Sequence, residues 1–88
     1  LIESYLFSAC DQFRIERLTH AFGAELLPGV RTLSECRLLC AYNKTCVAFD
    51  WDFVRMECYP HYVADNLNIK APDQELDLYI KENCSIGD

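Results

Sequence analysis

Six cysteines within 88 residues constrain this chain more than any other feature. A chain of this size builds a core that is marginal by itself, and covalent staples are the common remedy. An even cysteine count in so short a chain reads as three disulfides made in an oxidising compartment. Three of the six lie in one stretch, TLSECRLLCAYNKTC, from Thr32 to Cys46. Thr32 and Glu35 have capping-box spacing, so Thr32 caps a helix while Glu35 reaches back to the cap backbone. Leu33, Cys36, Leu39 and Cys40 recur at three- and four-residue steps and share one face. Arg37 points elsewhere, and Asn43 ends the helix because asparagine tolerates a left-handed C-cap. The expectation is one helix over residues 33–43, pinned by sulfur to the rest of the chain.

The remainder reads as short strands. Residues 1–9 (LIESYLFSA) suggest a strand leading into Cys10. Phe13, Ile15 and Arg17 alternate with Arg14 and Glu16, which suits a short half-buried strand. Residues 18–27 have helical composition, but Gly23 interrupts them and Pro28-Gly29 makes a turn. Irregular structure with a short strand is expected there. Cys46 to Asp52 is the clearest strand, with Val47, Phe49 and Trp51 on one face and Cys46, Ala48, Asp50 and Asp52 on the other. Residues 52–55 form its loop, Met56 to Tyr59 return through Cys58, and Pro60 ends the hairpin. Residues 61–74 read as a long polar connection, and Leu76, Leu78 and Ile80 alternate with Asp77, Tyr79 and Lys81 in a last half-buried strand toward Cys84. The tail SIGD reads as frayed. The fold class is α+β: a curved antiparallel sheet packed on a single helix.

Cys36 and Cys40 point the same way from one helix face, which disfavours a bond between them. Cys46 follows closely enough to reach Cys40. Cys36 then needs a partner in the sheet, and Cys58 on the hairpin is the natural one; Cys10 and Cys84 remain, bracketing the chain. The C-x3-C and C-x5-C spacings do not match the CxxC pairs of structural zinc sites, so no metal is expected. His20 and His61 read as ordinary surface or half-buried histidines.

The net charge is −6, and the eight basic residues are scattered singly. Nucleic acid, heparin-like polyanions and anionic membranes are therefore poor partners. No apolar run approaches the roughly 20 residues that span a bilayer, so no membrane insertion is expected. The chain begins with Leu1 and shows no signal pattern before Cys10. It reads as a mature or excised domain whose signal was removed or lies outside it.

Leu27-Pro28-Gly29, Ser34-Glu35-Cys36-x3-Cys40, Asn43-x2-Cys46-x-Ala48-Phe49-Asp50-Trp51, Cys58-Tyr59, and Leu78-Tyr79 before Cys84 together resemble a PAN/apple domain. The resemblance runs from Cys10 to Cys84 within a single domain of residues 1–88. It implies a curved antiparallel sheet cradling one helix, the bonds Cys36–Cys58 and Cys40–Cys46, and a terminus-joining Cys10–Cys84 bond. Some members bind heparin through basic clusters, which this acidic chain lacks.

Catalytic motifs are absent: there is no GxSxG, no HExxH and no phosphate-binding glycine loop, and cysteines held in disulfides are not nucleophiles. Asp50 and Asp52 project from one strand face and read as the solvated side of a hairpin. Asn43-Lys44-Thr45 and Asn83-Cys84-Ser85 match the N-glycosylation acceptor. Arg55, Tyr59, His61 and Tyr62 cluster in sequence after a core Trp51 and are the candidate ligand-binding residues, since aromatics with a polar handle serve at protein and sugar interfaces. The resulting expectation is a secreted or extracellular module that binds another protein, with no enzymatic activity and no cofactor. Its rivals are a lectin-like glycan-binding module and a structural, self-associating unit of a matrix or multidomain protein.

Overall fold

The computed structural model of the protein describes residues 10–82. Four strands make the main sheet: β1 (Phe13–Glu16), β3 (Ala48–Asp52), β4 (Glu57–His61) and β6 (Leu76–Lys81), in the order β1-β6-β3-β4 and antiparallel throughout. Two further strands, β2 (Thr19–Ala21) and β5 (Lys70–Pro72), pair as a separate two-stranded ribbon. Helix α1 spans Leu33–Tyr42, and a 3-10 turn spans Ala64–Asn68.

Helix α1 starts where the capping pattern places it. The Thr32 hydroxyl accepts the Glu35 backbone N–H at 3.2 Å, and it donates to the Glu35 carboxylate at 3.4 Å. The helix buries Cys36, Cys40 and Ala41, with Leu33 half-buried. Leu39 is exposed, because it falls at the edge of that stripe and not within it. Asn43 is the C-cap but in extended conformation (φ −103, ψ 112), contrary to the left-handed expectation. The terminal carbonyls are met instead by Lys81, whose Nζ donates to the carbonyls of Cys40 at 2.5 Å and Asn43 at 3.0 Å. A cation there also suits the negative end of the helix.

The core beneath the helix joins Cys36, Cys40, Cys46, Phe49, Trp51, Cys58 and Tyr79, with Phe13 packed against it. Phe49 and Tyr79 are cross-strand partners and stack with centroids 4.7 Å apart. Each such aromatic removed from water contributes roughly 2–3 kcal/mol. Two disulfides pin the helix: Cys36–Cys58 ties it to β4, and Cys40–Cys46 ties it to the approach to β3. These are the bonds implied by the resemblance. Cys84 is outside the described residues, and with it lie the expected Cys10–Cys84 bond, the strand at residues 1–9, Asn83 and the tail.

The sheet is covered on both faces, and here the structure departs from a sheet with only a helix on it. The second layer joins Ala21 of β2 to Ala48, Leu78 and Ile80, with Val47 and Leu67 at its margin. Strand β3 is consequently buried along its whole length, and β6 over Leu78–Ile80. Residues 61–74, expected as a polar connection, contain the 3-10 turn and β5. Pro60 lies within β4 and does not end it; β4 is an edge strand, where a missing N–H costs no ladder bond. Ile15 is exposed although β1 forms as expected, because β1 is the opposite edge.

Candidate functional site

Alternation along β3 turns Asp50 and Asp52 away from the helix, and the β3–β4 pairing sets Tyr59 opposite Asp50 and His61 opposite Ala48. The β2–β5 ribbon closes over this face. Both aspartates are consequently buried, and the solvated hairpin side expected of them is overturned. The cause is a ribbon whose two strands are three residues each and about fifty residues apart in sequence.

Asp50 is fully partnered. Its Oδ1 accepts the Ala21 backbone N–H at 3.3 Å, and its Oδ2 lies 2.7 Å from Nε2 of His61. The other ring nitrogen of His61 meets the Asn66 side-chain amide at 3.0 Å. Donation from Asn66 to Nδ1 leaves the proton on Nε2, so the imidazole donates to Asp50. Asp52 is used differently. Its Oδ1 accepts the backbone N–H groups of Val54 and Arg55 at 3.0 and 2.8 Å, which fixes the turn between β3 and β4. Met56 completes that turn in the left-handed region at φ 57.

Between this hairpin, β2 and the segment before β6 lies an open cavity of about 370 Å³. Its walls include His20, Phe22, Asp50, Asp52, Arg55, Tyr59, Asp73 and Glu75. Four carboxylates thus face one guanidinium. Phe22 meets His20 edge-on with centroids 4.6 Å apart. His20 Nδ1 lies 3.0 Å from Asp73 Oδ2 yet is buried without a hydrogen-bond partner, because the approach lacks the alignment a hydrogen bond needs. Arg55 approaches Glu75 at 3.6 Å. The Tyr59 hydroxyl donates to Glu57 at 2.8 Å, and this bond, with burial, holds its pKa above the usual value.

The four residues singled out from the sequence separate. Arg55 and Tyr59 line the cavity, whereas His61 is wholly buried beneath it and is not open to a ligand. Tyr62 lies on the other side of the sheet, in a groove of about 250 Å³ with Leu27, Leu39, Pro60 and both disulfides. His20, Phe22, Asp73 and Glu75 belong to the cavity but carried no sequence signal beyond turn-forming neighbours. Asn43 is exposed, and its Oδ1 accepts both the backbone N–H and the hydroxyl of Thr45, at 2.9 and 2.7 Å. Among the described residues no group of three or more His, Cys, Asp or Glu is placed to hold a metal ion, and no helix is long and apolar enough to cross a membrane.

No curated protein matches the chain. A family model described as the PAN domain matches residues 10–84. PAN domains are disulfide-stabilised modules that mediate protein and carbohydrate interactions; they are typically non-enzymatic and typical of extracellular proteins. With the model covering most of its length, and with Cys36–Cys58 and Cys40–Cys46 tying its helix to its sheet, this chain belongs to the PAN domain family.

Proposed function

We propose that the chain is a secreted, extracellular binding domain, one unit over residues 1–88, whose partner is another protein. The carrying observation is the turn between β3 and β4. Phe53, Val54 and Met56 stand exposed there in succession, beside Arg55 at the mouth of the acidic cavity. An apolar prominence next to a charged recess is the pattern of a protein interface, with an apolar centre and a polar rim. The cavity supports a glycan as the second reading: it combines the rings of Phe22 and Tyr59 with polar groups in a recess large enough for one sugar. The exposed Asn43 is the expected glycosylation site.

The test presents the disulfide-intact domain to an array of extracellular proteins and to a glycan array, with reduced and alkylated protein as control. Selective, fold-dependent protein hits that disappear in the Phe53→Ser/Met56→Ser variant support the reading. Hits confined to glycans replace it with the lectin-like one. Concentration-dependent sedimentation with no hit on either array replaces it with self-association.

A further inference from the structure

Asn43 is exposed and lines the apolar groove on the helix side of the sheet, together with Leu27, Leu39, Pro60 and Tyr62. Its backbone is fixed as the C-cap of α1: the carbonyl accepts from the Cys46 N–H and from Lys81 Nζ, both at 3.0 Å. Its side chain is fixed as well, because Oδ1 accepts the N–H and the hydroxyl of Thr45. The carboxamide nitrogen Nδ2 is thereby the atom of Asn43 that remains available. Leu39 and Tyr62 in the same groove are 49% and 48% exposed. Apolar side chains gathered along a groove, and not scattered singly, mark a surface that something covers.

We propose that Asn43 carries an N-linked glycan whose first N-acetylglucosamine lies in this groove, against Tyr62 and Leu39. This deepens the reading of a secreted domain glycosylated at Asn43 and rests on it. Asn43-Lys44-Thr45 is the acceptor sequence. In the transfer, Nδ2 bonds to the anomeric carbon of an oligosaccharide carried on a lipid diphosphate. The carbon–oxygen bond to the diphosphate breaks, the diphosphate leaves with the electron pair, and Nδ2 gives up one proton. The tether selects the occupant: a sugar joined to the groove's own wall is held there at high effective concentration, ahead of any free ligand. Its chemistry fits too. N-acetylglucosamine has an apolar ring face and an acetamide methyl, which suit the Tyr62 ring and the Leu39 side chain, while its hydroxyls face water. The acidic cavity is on the other side of the sheet, so the glycan leaves it open.

The test produces the disulfide-intact domain through a eukaryotic secretory pathway and trims its glycan enzymatically to a single N-acetylglucosamine. Peptide mapping should find Asn43 occupied. NMR should show nuclear Overhauser contacts from the acetamide methyl and ring protons to the Tyr62 ring and the Leu39 methyls. Thr45→Ala and Asn43→Gln each remove the acceptor by a different route. Both should shift the amides of Leu39, His61 and Tyr62 and raise the binding of a hydrophobic dye. Tyr62→Ser should keep Asn43 occupied and lose the contacts. An unmodified Asn43 in the folded, secreted domain overturns the proposal, as does an occupied Asn43 with no sugar contact to the groove. Self-association or partner binding that is lost in Tyr62→Ser also overturns it, since the groove then holds a protein. If Asn43 is bare while partner binding still depends on Phe53 and Met56, the glycan falls and the protein-binding reading stands. A groove-bound sugar with blank protein arrays gives the reverse.

Discussion

His61 Nε2 donates to Asp50 Oδ2 across 2.7 Å with both side chains essentially buried. The pair joins β4 to β3 on the face away from the helix, and Asn66 and Ala21 extend it to the 3-10 turn and to β2. A polar chain of this kind stabilises only while every member is satisfied. Asp50→Ala leaves the imidazole N–H and the Ala21 N–H without an acceptor and should cost about 2–4 kcal/mol of unfolding free energy. Asp50→Asn retains an acceptor and should cost less. Urea denaturation of the disulfide-intact variants measures both; an Asp50→Ala variant as stable as the parent contradicts the role assigned to the pair.

The two helix staples differ in the loop they close. Cys36–Cys58 spans 22 residues and Cys40–Cys46 spans 6. Loop-closure entropy then assigns about 3 kcal/mol to the first and about 2 kcal/mol to the second. Replacing Cys36 and Cys58 together by alanine should lower the denaturation midpoint more than replacing Cys40 and Cys46. The reverse order would show that native packing around Cys40 outweighs the chain entropy.

Alkaline pH should loosen the fold through its tyrosines. Burial raises the pKa of Tyr79, with Asp77 adding to it while Arg17 and Arg37 oppose it. The bond to Glu57 raises that of Tyr59. A raised folded-state pKa gives stability that is complete below the unfolded value, near 10, and lost as pH climbs through the folded value. Lys81 acts in the other direction: burial lowers its pKa, so loss of its proton relieves a desolvation cost in the same alkaline range. Tyr79→Phe keeps the ring stacked on Phe49 and should match the parent at neutral pH, then exceed it above about pH 10. Thermal melts from neutral to alkaline pH check the crossover.

The sequence carried the parts of this fold whose signals are local. The Thr32–Glu35 cap and the spacing of Cys36 and Cys40 set the helix, and two-residue alternation set β1, β3 and β6. What it did not carry depends on distant pairing. Thr19–Ala21 meets Lys70–Pro72 only in three dimensions, and neither triplet has strand character strong enough to announce itself. Without that ribbon Asp50, Asp52 and His61 read as surface residues; with it they become a buried polar layer and a cavity wall. Pro60 misled for a similar reason, since its tolerance depends on β4 being an edge, which follows from the strand order.

Gly23 ties this layer to the cavity, and its replacement is the sharpest single test of the arrangement. Its φ is +108, in the region that side chains rarely adopt, and a Cβ built on it would meet the Asn66 side chain at 2.6–2.7 Å. Asn66 is the residue that orients His61. Gly23→Ala therefore meets two penalties, backbone strain of about 1–3 kcal/mol and displacement of Asn66 from the imidazole. Gly29 has a similar φ of +86 but nothing within 4 Å of its Cβ position, so Gly29→Ala meets only the first. Gly23→Ala should be the less stable variant in urea, and the His61 ring signals in NMR should move in it and stay in Gly29→Ala. Equal losses, with the His61 signals unmoved in both, would mean that Asn66 yields freely and does not hold the imidazole in place.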